Sequence, residues 1–188
     1  MLRTRELIAV RAGSCLAKKA LVILVIAIGC IGSLMLMASA ADAQDAKIAT
    51  SMVALKDKTA KLGAPKIEGT EAVGDKSAPA LYFGSTKMND DFTIVDEVGN
   101  EDPEMAATLF VKAGDEFIRV ATSVRLNDGR RAVGTVLAPP ALDSIKAGKP
   151  YYGEVRVLGT LYMTGYEPIK DASGEIIGAY FVGYASDA

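Results

Sequence analysis

The sequence predicts an α+β domain behind an export leader. Three observations carry the prediction. One amphipathic helical stretch near residue 50 is followed by short strand-like runs and only one further, short helical run. Gly, Pro and Asn-Asp turn signals separate those runs. The first 43 residues differ in kind from the rest. A long helix followed by a run of strands is the element order of an α+β fold, and 188 residues, half of them hydrophobic, are enough for one domain but not clearly for two.

Residues 1–43 begin with Arg3, Arg5, Arg11, Lys18 and Lys19. An apolar run over 20–37 comes next, and then Ala38-Ser39-Ala40 and Ala41-Asp42-Ala43. A basic start, an apolar middle and an A-x-A end are the parts of a secretory signal. Cleavage is expected after Ala43, with Ala40 as the second site. The alternative is an uncleaved anchor, since about 18 apolar residues lie at the lower limit for a span. Cys30 after Ile28-Gly29 loosely resembles a lipoprotein site, but the apolar run continues past it. Basic residues at this end favour translocation of the remainder of the chain.

The elements come in order. Residues 45–62 read as a helix, with Ile48, Met52, Val53, Leu55 and Leu62 along one stripe, ended by Gly63-Ala64-Pro65. Residues 66–79 are rich in Gly, Glu and Lys and are expected to be loop. Strands are expected at 80–84 and 92–96. Residues 107–112 and 116–126 make a hairpin about Ala113-Gly114-Asp115, and 131–137 return after the turn Asn127-Asp128-Gly129. Pro139-Pro140 opens a short helix over 141–147, closed by Gly148. Three last strands, 151–157, 160–169 and 175–184, pair as a meander. The final turn is Asp171-Ala172-Ser173-Gly174, where Gly174 supplies the positive φ of a short hairpin.

Composition narrows the chemistry. There is no histidine, and both cysteines, Cys15 and Cys30, fall in the leader. Without His or Cys the common zinc sites, Ser-His-Asp triads and Cys-His pairs are excluded, and the expectation is a protein that is not an enzyme and needs no cofactor. The leader holds five of the 21 basic and two of the 23 acidic residues, which leaves 16 basic, 21 acidic and a net charge of −5 for the rest. A mildly acidic domain without a basic cluster does not suit nucleic acid.

The runs "APALYFG", "FTIVDEVG", "ATLFVKAGDEFIRVATSVRLNDGRRAVGT" and "IKAGKPYYGEVRVLGTLYMTGYEPIKDASGEIIGAYFVGY" resemble the Cache domain in its single Cache 3/Cache 2 form, over about residues 66–184. The resemblance implies a PAS-like fold, with a long N-terminal helix packed on one face of a curved, mostly antiparallel sheet and a small-molecule pocket on the other. It implies an extracytoplasmic sensor that binds a small metabolite such as an organic acid or amino acid. Receptors of this kind continue from the last strand into a membrane helix. Here Phe181-Val182-Gly183-Tyr184 is followed by four residues, and a second apolar span is lacking. The expectation is therefore a ligand-binding module that hands its signal to a separate membrane partner. The second reading is a membrane-tethered interaction module with a vestigial pocket.

Six residues are candidates for the ligand site. Arg119 lies in Phe117-Ile118-Arg119-Val120-Ala121, where alternation puts it on the face of Phe117 and Ala121. If that sheet is covered on both faces, the guanidinium needs an anion, either a ligand carboxylate or a structural Asp or Glu. Tyr151 and Tyr152 point to opposite faces, and Tyr152 is taken as the pocket residue. Tyr162 and Tyr166 share a face and offer apolar walls with one donor each, or serve as core aromatics. The resemblance places Arg131 and Lys149 near the pocket mouth, although both also fit solvated turn positions. Lys170 and Asp171 flank the final turn, and Asp171 is expected to cap it.

Overall fold

The computed structural model describes residues 40–186, with side chains from Ala46 onward. Residues 1–39 of the leader therefore lie outside the described residues, and 40–43 open α1. The elements are α1 (Ala40–Ala60), β1 (Pro65–Val73), β2 (Lys76–Phe83), β3 (Thr86–Lys87), α2 (Thr93–Glu101), β4 (Met105–Ala113), β5 (Glu116–Thr122), α3 (Ala141–Lys146), β6 (Tyr151–Val157), β7 (Thr160–Lys170) and β8 (Ile176–Ala185). They form two antiparallel sheets, a small one in the order β1-β2-β3 and a central one in the order β5-β4-β8-β7-β6. The α+β, PAS-like expectation holds.

The central sheet is buried on both faces. On one face Ile48, Met52 and Leu55 of α1 pack with Leu81 and Phe83 of the small sheet, Val95 and Val98 of α2, and Leu109, Ile118, Tyr180 and Val182. On the other, Phe110, Phe117, Tyr166 and Phe181 pack beneath the long β5–β6 connection, which contributes Val124, Ala132, Leu137, Ala141 and Ile145. A sheet covered on both sides reads as near-continuous apolar runs, as the burial of β4, β5 and β8 shows.

The meander, the short helix after Pro140 and the β4–β5 hairpin stand where the pattern puts them. Val53 and Leu62 are not on the buried stripe of α1, which Ile48, Met52 and Leu55 carry; both are exposed. Three further expectations are corrected. Residues 66–79 are not loop but most of the β1–β2 hairpin. Of β1 only Val73 is buried, and the strand is held by backbone pairing and by ion pairs such as Lys87–Glu71, so no apolar alternation announces it. Residues 92–96 are not a strand. They begin α2, where the Asp91 carboxylate accepts the Thr93 N–H at 3.0 Å and Val95 and Val98 bury one helical turn apart; the β-branched run Thr93-Ile94-Val95 is overridden by this packing. Residues 131–137 make only the bridges Arg125↔Arg131 and Ile118↔Val136 rather than a full strand. Gly134, at φ +85°, turns the chain there, and a Cβ on it would sit 2.9 Å from the Val73 carbonyl oxygen.

Asp171 caps the final turn as expected. One carboxylate oxygen accepts the N–H groups of Ser173 and Glu175 at 2.9 and 3.0 Å and the Ser173 hydroxyl at 2.6 Å. Those bonds, above all from the Ser173 side chain, hold its carboxyl below the ordinary range.

Candidate functional site

Arg119 is placed by β5 and by an irregularity beside it. Register shifts between Leu109 and Phe110 of β4, so that Arg119 faces Phe110 while Ala121 faces Leu109. The extra residue breaks the alternation. Arg119 shares the face of Phe117 but not, as simple alternation implies, that of Ala121, which falls in the core beneath α1.

Arg119 is 3 % exposed. Its Nη1 donates to the Thr135 hydroxyl at 2.6 Å, and the guanidinium lies 5.0 Å from the Phe110 ring centroid. Among the described residues it makes no ion pair, and its Nε has no hydrogen-bond partner. Burial lowers its pKa to about 10, against a raising influence from Tyr166 and Tyr162, so the group is charged at neutral pH. A buried, charged donor left partly unmatched is costly, and native structures keep few of them.

Arg119 and Tyr166 line one cavity of about 140 Å³, with walls from Val136, Leu137, Val155 and Val157. Tyr166 is packed against Phe181, Tyr151 and Phe110, with ring centroids 4.9, 6.3 and 6.5 Å away. Burial pushes its phenol pKa upward, so the phenol is neutral and a donor. No described residue bonds its hydroxyl.

The other candidates do not line this cavity. Tyr162 and Arg131 line a separate open groove of about 640 Å³ with Asp96, Asn100, Ser123 and Arg125. Arg131 is already matched. Its two Nη atoms reach the two Asp96 oxygens at 2.8 and 2.7 Å, Nη1 also donates to the Thr122 carbonyl at 2.6 Å, and the group stacks 4.2 Å from the Phe92 ring centroid. Lys149 is exposed and lines neither space.

Tyr152 points to the opposite face from Arg119, 48 % exposed, beside Ile48 and Ala49 of α1. Its hydroxyl donates to Glu167 Oε1 at 2.5 Å, and Glu167 Oε2 accepts from Lys56 Nζ at 2.6 Å. Burial raises the Glu167 pKa, but the hydrogen bonds from Lys56 and Tyr152 and the Lys56 charge outweigh it and leave the carboxyl below its ordinary value. The tyrosine on the cavity side of β6 is Tyr151, directly across from Tyr166. The alternation of Val155 and Val157 with Glu154 and Arg156 carries that phase back to Tyr151, and this is the signal that would have found it. Thr135, which holds Arg119, had no sequence signal of its own.

Among the described residues no helix is long and apolar enough to cross a membrane. The family model for the Cache 3/Cache 2 fusion domain matches residues 32–188. A search of curated proteins found no match.

Proposed function

Because the chain belongs to the Cache 3/Cache 2 fusion domain family, whose Cache domains are extracytoplasmic ligand-binding sensor modules, we propose that it is an exported sensor module that binds a small carboxylate at Arg119. The observation that carries this reading is the buried Arg119 with an unmatched Nε, lining a cavity whose wall includes no carboxylate of the protein. A ligand carboxylate supplies the missing acceptors and is matched in shape to the guanidinium edge. The Tyr166 hydroxyl, on the same wall, offers a second donor. Discrimination then stems from the site's own groups: a neutral analogue that lacks the carboxylate leaves the Arg119 edge unmatched and binds less well.

The test is thermal or chemical stability against a panel of carboxylates and their amides. A ligand at 100 times its Kd adds about 2.7 kcal/mol. Arg119→Gln is expected to remove that gain while leaving the fold intact by circular dichroism. A carboxylate response that persists in Arg119→Gln refutes the assignment. Export is supported by the basic-apolar-small layout of residues 1–43 and by the confinement of both cysteines to it. Mass measurement of the exported protein is expected to show loss of the first 43 residues.

A further inference from the structure

We infer that the ligand is a monocarboxylate with an aliphatic tail, bound with its carboxylate inward and its chain leaving between Val136 and Leu158. The inference rests on the Arg119 reading above and narrows it. The cavity has one charged end. Val136, Leu137, Ala138, Val155, Val157 and Leu158 make up most of the remaining wall. No acidic side chain lines it, so the α-ammonium of an amino acid has no charged acceptor there.

A dicarboxylate is no better served. Arg156 borders the cavity, yet it stands between Val155 and Val157, whose side chains are buried in the core on that face while Arg156 is exposed. Alternation therefore turns its side chain to the other face, and its guanidinium donates to the Gly159 carbonyl at 3.3 Å. The Tyr166 hydroxyl stands on the Arg119 wall and serves the first carboxylate, so a second one finds no further charged group turned into the cavity.

The mouth is apolar as well. Val136 is 41 % and Leu158 44 % exposed, and both border this cavity. Leu158 is also in an unusual conformation. It forms a two-residue hairpin turn with Gly159 at φ +51° and +93°, where Asn-Gly is the favoured pair and a branched apolar side chain is rare. A residue kept against local preference at the rim of a cavity points to a function for its side chain. The interior of about 140 Å³ is close to the roughly 150 Å³ that accommodates a benzene ring, so it takes a carboxylate and three or four further carbons.

The test is calorimetry on the full-length protein in detergent-free buffer with acetate, propionate, butyrate, pentanoate and hexanoate, together with succinate and alanine. Affinity is expected to rise about fourfold per methylene, so that butyrate binds about 15-fold more tightly than acetate. Leu158→Asn is expected to raise the melting temperature of the ligand-free protein and to flatten the series at its long end. A flat or falling series overturns the inference, as does succinate or alanine binding more tightly than butyrate. If such binding still disappears in Arg119→Gln, the carboxylate site stands and only the aliphatic class fails. Absence of binding by every acid removes both readings.

Discussion

Replacing Arg119 by methionine is expected to stabilise the ligand-free protein while abolishing its response to carboxylates. Burial moves the guanidinium pKa from 12.5 to about 10, and at about 1.4 kcal/mol per unit this is a penalty of about 3 kcal/mol on the charged form. The Thr135 bond returns about 1.5 kcal/mol and the position over Phe110 about 0.5 kcal/mol. Methionine keeps the apolar stem and leaves no unmatched donor, and the Thr135 hydroxyl retains its own bond to the Ala132 carbonyl at 2.7 Å. The balance favours the variant by about 1 kcal/mol, in line with other replacements of buried charge by apolar groups. Urea titration monitored by circular dichroism should show a higher midpoint at unchanged slope, and the melting temperature should rise by about 3 °C. A loss of more than 1 kcal/mol in Arg119→Met would mean that the guanidinium holds the fold together, and would refute the argument that its cost is met by a ligand.

Three further outcomes are expected from neighbouring contacts. A Cβ on Gly165 would lie 2.8 Å from both Ile48 Cγ2 and Tyr152 Cε1, so Gly165→Ala should cost about 1–3 kcal/mol in urea unfolding. Paired with Ile48→Ala the two costs should be sub-additive, and strict additivity would show that the clash is not the cause. Glu167 has a folded pKa below its ordinary 4.5, so the Lys56–Glu167–Tyr152 cluster stabilises above that pH and fades as pH falls through the folded value; Glu167→Gln should flatten the acid limb of stability below about pH 4.5, with the wild type as control. Arg131→Lys loses the bidentate pair to Asp96 and the stacking on Phe92, and should cost about 1 kcal/mol while carboxylate affinity stays within twofold.

What could be read from residues depended on whether a local pattern and the tertiary contacts agreed. Thr160 to Ala185 was legible because turn chemistry at Asp171 and Gly174 and the tyrosine-rich strands all specify the same hairpin. β1 was not, because Lys66, Glu68 and Glu71 occupy an edge strand with almost no buried side chain, and charged edges carry no apolar period. α2 was misread because Thr93-Ile94-Val95 has strand propensity and its helical stripe is only two valines wide. Arg119 was recognisable as a charge in an apolar strand, but the register shift that removes Ala121 from its face lies in pairing with β4, which no single strand encodes. Tyr152 lines a separate cavity with Ile48 and Ala49 of α1, while Tyr151 lies on the Arg119 face, and one residue is the whole difference between the two faces of a sheet.

The strand β7 has one further property. Tyr166 lines the Arg119 cavity, and the next residue, Glu167, grips Lys56 near the C-terminal end of α1 on the opposite face. A single peptide unit separates the two. Any shift of that strand that carries Tyr166 toward an occupant also carries Glu167, one residue on and on the other face, relative to Lys56. In hydrogen exchange, occupancy on one face should therefore alter protection of the α1 amides around Lys56, on the other.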